Sequence, residues 1–466
     1  MEDKNLKDLK EKLENNNTNI WNKYNEEEKE KIKKFSEEYK SFLKYSINEK
    51  RTTKYMENEL KENGFVDIFE KENLEIGDKI YYLNRGKSIY AVVIGENILD
   101  GMNIIGSHAD SPRLDLKQMP IYEEQNMALA KTHVYGGIKK HQWTTIPLVL
   151  VGDVYKTSGE KIEVNIGEDE NDPVFTITEL LPHLASRQMT KNAKEFIEAE
   201  QLNVLLGGLP LGKEAGAVKL NILNMLYEKY NINEKDFGSA ELMVVPNFKP
   251  KDIGLDRSFV GAYGQDDKVC AFAAFKAFLN EKEQKRTKLL LISDKEEVGS
   301  LGNTGMESRT FDYFIELILD KLNINKSVAL LEVLNNSKML SADVTAAVDP
   351  TYIDVHELLN DPVVNGGVAM VKYTGGAGKS NASDANPKFI AEVRKMFEEN
   401  NVNYQYAALG KQGIGGGGTI AYILANKGVE VLDCGTAILS MHSPFEVASK
   451  ADIYETYKAY NVFFNK

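Results

Sequence analysis

K-L-L-L-I-S-D-K-E-E-V-G-S, residues 288–300, joins an apolar run to two adjacent glutamates and a glycine. The run K-L-L-L-I reads as a short buried strand. Neighbouring residues of a regular strand point to opposite faces, so Glu296 and Glu297 could not serve one target from inside it. A chain that leaves the strand and bends at a glycine could aim both at one point. Two carboxylates brought to one point need a cation to bind or a proton to move.

The same pattern recurs along the chain. N-I-I-G-S-H-A-D (103–110) reads as a strand running into a loop that carries His108 and Asp110, two residues apart and so on one side of an extended chain. V-A-L-L-E-V (328–333) reads as a strand ahead of Asp343 in L-S-A-D-V, and V-E-V-L-D (429–433) as a strand ahead of His442 in S-M-H-S-P. Y-G-Q-D-D-K-V-C-A-F-A-A-F-K-A-F (263–278) reads as a helix opening at Asp266 and Asp267, a favourable end for acids. Strands alternating with helices predict an α/β sheet. In open α/β sheets, sites form beyond the C-terminal ends of the strands, within reach of all five loops.

Other segments fill in the organisation. Residues 1–63 carry Leu6, Leu9, Leu13, Ile32, Phe35, Tyr39 and Phe42 at helical spacing among Glu and Lys. K-I-Y-Y-L-N-R-G-K-S-I-Y-A-V-V-I-G (79–95) reads as a hairpin. After about residue 118 the character changes. T-H-V-Y-G-G (132–137), T-I-P-L-V-L-V-G-D-V-Y (145–155), K-I-E-V-N-I (161–166) and V-F-T-I-T (174–178) read as strands, and 187–235 as partly helical. An α/β domain of residues 1–118 and 241–466, interrupted by a β-rich insert at 119–240, follows.

With 466 residues the chain exceeds one ordinary core. A net charge of −13 argues against a nucleic-acid partner, since no basic face is present to neutralise phosphates. No stretch approaches the roughly 20 apolar residues that span a bilayer, and the N-terminus has no secretory h-region. Cys270 and Cys434 sit in unrelated contexts and fit a reducing compartment. A cytoplasmic protein without membrane attachment is expected.

Two histidines and several carboxylates suit divalent cations of borderline softness, zinc first, with cobalt or manganese as alternatives. The number of ligand-type residues suits two ions, with one carboxylate shared. Ions about 3.5–4 Å apart would activate a water and polarise a carbonyl or phosphoryl oxygen. A spare glutamate beside them would take the proton of that water.

S-H-A-D-S-P-R-L-D-L-K, Q-D-D-K, K-E-E-V-G-S, L-S-A-D-V-T-A-A-V-D-P and M-H-S-P, in this order, with L-P-H-L-A at 181–185 and E-N-G-F near the start, resemble the aspartyl aminopeptidase family of dinuclear metallo-aminopeptidases. The resemblance covers essentially the whole chain. It implies a mixed-sheet α/β catalytic domain, with the insert serving oligomerisation and covering the active site. It implies that Asp266 bridges two metals, that His108 and Asp343 complete one shell, and that Glu297 and His442 complete the other. Glu296 would be the general base and Asp110 would orient His108. The family also implies peptide substrates, a homo-oligomer of twelve subunits, and a contribution of insert histidines such as His183 to a neighbouring active site. Where the family motif often has a second histidine, this chain has Arg187.

Members preferring an acidic N-terminal residue carry a lysine late on a strand after a Gly-containing turn. In G-G-V-A-M-V-K-Y (366–373) that position is Lys372, with Met370 on the same strand face. The following T-G-G-A-G-K-S departs from the acid-preferring pattern, which leaves acidic and neutral preferences both open. Gly415–Gly418 offer close backbone approach to a substrate. A deacylase or carboxypeptidase with the same metal centre, and a non-catalytic assembly protein stabilised by metal, are the competing readings. A spare base at Glu296 speaks against the last, because a structural site has no use for one.

Overall fold

The apolar runs form the middle of a nine-stranded mixed sheet. Thr287–Ser293, Met102–His108, Lys338–Ser341 and Glu430–Gly435 lie side by side and parallel. Their residues are apolar without alternation because both faces are covered. Leu290, Ile292 and Ile105 face one core, while Leu289, Leu291 and Ile104 face another. The first core is closed by the helices Gln265–Leu279, Lys450–Phe464 and Glu26–Tyr45, and the second by Thr310–Lys321 and Ala329–Asn336. Outer strands complete the sheet. The expected hairpin, Lys79–Asn84 with Ser88–Val93, pairs antiparallel to Thr287–Ser293, and Val368–Val371 pairs antiparallel to Glu430–Gly435. This computed structural model describes residues 9–10, 13–14, 18–280, 285–376 and 380–466. Leu6 of the N-terminal pattern and residues 377–379 of T-G-G-A-G-K-S lie outside them.

Two expectations change. V-A-L-L-E-V is not a strand. It forms most of the helix Ala329–Asn336, and the strand that leads to Asp343 is the following K-M-L-S, Lys338–Ser341. V-F-T-I-T forms only isolated bridges, Phe175 to Leu148 and Thr176 to Leu205.

A second, six-stranded sheet runs in the order Lys161–Ile166, Leu148–Tyr155, Ala240–Pro246, Arg113–Glu124, Met127–Tyr135, Val204–Gly207, antiparallel throughout. It packs its own core around Trp143, with the helix Ala217–Tyr230 against it. Arg113–Glu124 crosses residue 118 and Ala240–Pro246 crosses 241, so this sheet reaches a few residues beyond 119–240 at both ends. A third sheet of five strands holds Phe259–Ala262 beside Glu446–Ser449 and Ala437–Leu439, and so supports the chain just before Asp266 and around His442. Among the described residues no helix is long and apolar enough to cross a membrane.

Candidate metal centre

Parallel strands end at one edge of the sheet, and their loops meet there. Met102–His108 ends on His108. After Thr287–Ser293 the chain turns through Lys295, at φ +68, into the single turn Glu296–Val298, closed by Gly299 at φ +88. Asp343 follows Lys338–Ser341. Asp266 and Asp267 stand at the head of the helix Gln265–Leu279, with ψ of 110 and 22, so the regular helical turns begin after the acidic pair. His442 lies in the turn after Ala437–Leu439.

Asp266 sits between the histidines. Its Oδ1 is 3.2 Å from His108 Nε2 and its Oδ2 is 3.1 Å from His442 Nε2. Asp343 Oδ1 lies 3.9 Å from His108 Nε2, and Glu297 Oε2 lies 3.4 Å from His442 Nε2. Both imidazoles are held from behind. His108 Nδ1 donates to the Asp110 carbonyl at 3.0 Å, with Asp110 Oδ1 at 3.3 Å, and His442 Nδ1 donates to the Gly137 carbonyl at 2.8 Å. Each ring therefore turns Nε2, the free ligand atom, toward Asp266. Asp267 Oδ2 accepts from Ser107 Oγ and stands near His108 as a further acid.

Electrostatics mark the cluster as over-supplied with negative charge. Burial opposes ionisation of Asp266, yet His108 and His442 hold it well below the usual carboxylate range. Burial, joined by the charge of neighbouring carboxylates, pushes Glu297 and Asp343 well above that range. Burial raises Glu296 to about 7 and Asp267 to about 8. His442 rises to about 10 despite its burial, chiefly through Asp266. Nearby basic side chains are engaged elsewhere: Lys268 with Ser111, and Arg113 with Glu49 and Asp115. Glu297 Oε1 and Asp267 Oδ1 are buried with no hydrogen-bond partner. Protons are a poor answer to such a set. Two imidazole nitrogens and surrounding carboxylate oxygens, some of them orphaned, fit divalent cations of zinc's type.

The cluster opens into a cavity of about 1000 Å³, lined by Asp266, Glu296, Glu297, Asp343 and His442 on one side and by Gly415–Gly418 on another. Asp110 lies beneath it, fully buried, and accepts from the backbone N–H of Glu296 and of Glu297. Three sequence candidates are not brought to this cavity. Met370 is packed in the core of the strand Val368–Val371, because the cavity takes the other strand face, that of Val371 and Tyr373. Lys372 directs Nζ to Tyr373 Oη at 2.5 Å and lies 3.7 Å from Asp384, outside the lining. His183 is exposed on the turn Pro182–Leu184 of the insert.

Other residues at the centre had no assigned role in the sequence. Glu446 accepts from His442 N at 2.7 Å and from Asp266 N at 3.1 Å. Tyr135 Oη donates to Asp110 Oδ2 at 2.9 Å. Asp433 lines the cavity and accepts from Thr419 Oγ1 at 2.6 Å, which ties down the end of the glycine run. Glu446 follows four residues after His442, the only hint the sequence offers of its place.

The profile of the Aminopeptidase I zinc metalloprotease (M18) family matches residues 42–464. The chain belongs to the M18 aminopeptidase family. It is a zinc metallo-aminopeptidase, a hydrolase. A probable M18 family aminopeptidase 1 from Clostridium acetobutylicum is 46% identical over 454 residues, covering 96% of this chain and 98% of the relative. The crystal structure of an M18-family aminopeptidase from Thermotoga maritima superposes with a TM-score of 0.94 at 44% identity, over 97% of this chain and all of that one. Further away, the structure of the S. cerevisiae mApe1 dodecamer shares the M18 fold, with a TM-score of 0.73 at 22% identity, over 92% of this chain and 95% of that one.

Proposed function

We propose that the protein removes single N-terminal residues from peptides at a centre of two divalent cations, zinc first, with Glu296 as the general base. The observation that carries this reading is Asp266, which turns one carboxylate oxygen to each of two histidines. His108 and Asp343 would hold one ion, Glu297 and His442 the other, and Asp266 both. When bound, such a pair supplies Lewis acidity toward the scissile carbonyl and lowers the pKa of the attacking water.

The chain's own residues supply the rest. Glu296 lines the cavity beside this set, and a carboxyl pushed up to about 7 by burial suits a group that takes a proton from water and returns it to the leaving amine. Asp110 fixes the turn that carries both glutamates and backs His108. The carboxylate-rich wall suits the amino terminus of a peptide. Close approach to the glycine run suits its backbone. The position of Lys372 gives no support to a strictly acidic preference, so we expect neutral N-terminal residues to be accepted.

Assembly belongs to the same proposal. Leu181, Leu184 and Met189 are exposed in the same stretch of the insert as His183, apolar side chains that a homo-oligomer, by family a dodecamer, would cover. A solution mass would test it, and a monomer would remove any role for His183 in a neighbour's site. Two free buried cysteines, Cys270 and Cys434, suit the cytoplasm.

Glu296→Gln tests the chemistry. It should lower kcat by about 10²–10⁴-fold while zinc content and assembly stay at parent levels. A fully active variant would refute the assignment of the base. Zinc- or cobalt-loaded protein should release the first residue from peptides beginning with Leu or Met. Release of the C-terminal residue instead would favour the carboxypeptidase reading.

A further inference from the structure

T-H-V-Y-G-G (132–137) reads from sequence as a strand, and the hydrolytic roles assigned above leave it unused. In the fold, the end of the strand Met127–Tyr135 lies against the metal centre. Tyr135 Oη donates to Asp110 Oδ2 at 2.9 Å, and the Gly137 carbonyl accepts from His442 Nδ1 at 2.8 Å. The sheet of the insert thus reaches the rear nitrogen of both imidazoles, once through Asp110 and once directly.

The turn passes close to the centre, and its backbone conformation at Gly136 is one that favours glycine. At Gly136, φ is +73, and a Cβ would stand 3.2 Å from Pro112 and 3.4 Å from Glu297 Cβ. A Cβ at Gly137 would stand 3.4 Å from His442 Nδ1. The tyrosine ring is fixed in turn. Arg113 is its register partner on the neighbouring strand, with its guanidinium carbon 3.9 Å from the ring centroid, and Arg113 is itself held by Glu49 and Asp115.

We propose that Tyr135 is a positioning residue of the metal centre, its hydroxyl locking the Asp110 carboxylate that lies behind His108 and holds the Glu296–Glu297 turn, so that the insert helps to set metal affinity. An ionised carboxylate has about four acceptor sites. On Asp110, Oδ1 takes Glu296 N and faces His108, while Oδ2 takes Glu297 N and Tyr135. Without the hydroxyl, Oδ2 loses its one side-chain donor, and the carboxylate is free to tilt away from the imidazole. Partners of this kind behind a ligand are worth about 10–100-fold in metal affinity or activity.

This rests on the metal-centre reading given above. Tyr135→Phe keeps the ring on Arg113 and removes only the hydroxyl. Competition against a chelator should show zinc held about tenfold or more weakly, with kcat lowered and KM for a peptide near that of the parent. The same substitution made in an Asp110→Asn background should add no further loss. Tyr263→Phe is the control: that hydroxyl donates to the Pro112 carbonyl at 2.9 Å and does not touch Asp110, so its removal should leave zinc affinity at the parent level. Parent-like affinity in Tyr135→Phe, an equal loss in Tyr263→Phe, or an undiminished loss in the Asp110→Asn background would each overturn the proposal. A parent protein that binds no zinc would instead overturn the metal centre itself, and the role of Tyr135 with it.

Discussion

Glu446 is 1% exposed and makes two backbone contacts, to His442 N and Asp266 N. It therefore sets the placement of one histidine and of the shared aspartate at once. Burial raises its carboxyl to about 8, with the charge of Asp266 adding to the effect. Glu446→Gln keeps the size but replaces one acceptor by an amide N–H₂, which must face a backbone N–H. We expect zinc to be held about tenfold more weakly, measured by chelator competition, with little change in fold by circular dichroism. An unchanged affinity would mean that the backbone holds His442 and Asp266 without help. The candidate ligands themselves were readable from sequence because each follows an apolar run or opens a helix. Glu446 and Tyr135 were not, because what they do depends on contacts between segments far apart in the chain. Met370 and Lys372 were aligned by pattern; the strand's alternation turns Met370 into the core, while Lys372 lies past the strand's end with Nζ on Tyr373 Oη.

At the scale of elements, the helix Gln265–Leu279 carries Asp266 at its head and is buried along nearly its whole length. Phe272 is at its centre, with ring centroids 5.2, 5.4 and 5.1 Å from those of Phe35, Tyr39 and Phe42 on Glu26–Tyr45. Phe272→Ala should cost about 3–5 kcal/mol of stability, read by denaturant unfolding, with zinc content retained under native conditions. A loss below about 1 kcal/mol would show that the two helices are not coupled through this ring. Element types were legible where length and chemistry agreed. K-L-L-L-I runs into the turn residues S-D and is a strand. V-A-L-L-E-V is equally short and apolar, and periodicity alone does not separate a buried strand from one turn of a longer helix. Leu330 and Leu331 in it are good helix formers, and V-A-L-L-E-V continues through L-N-N into Ala329–Asn336.

For the whole molecule, the cluster of acids makes stability depend on pH and on metal together. In chelator, burial holds Glu296 at about 7 and Asp267 and Glu446 at about 8, while His442 stays protonated to about 10, mainly through Asp266. In the unfolded chain the same carboxyls release their protons near pH 4 and the imidazole near 6.5. Between about pH 5 and 8 the folded state therefore binds more protons than the unfolded one, and its stability falls as pH rises. Asp110 and Asp266, held low, contribute fully throughout that window. Thermal unfolding in chelator should give a lower Tm at pH 8 than at pH 6, and zinc should raise Tm more at pH 8, where fewer protons compete for the ligands. A Tm that rises from pH 6 to pH 8 in chelator would contradict the charge balance described for the centre.

The order in which the candidate ligands occur along the chain has its own consequence. His108 comes from the first quarter of the sequence and His442 from close to its end, and both face the same aspartate. While the ribosome is still at work, the emerging polypeptide lacks its second imidazole until the final helix is about to appear. A translation product that stops short of that point, or a fragment cut from the C-terminal end, carries most of the sheet and no complete centre.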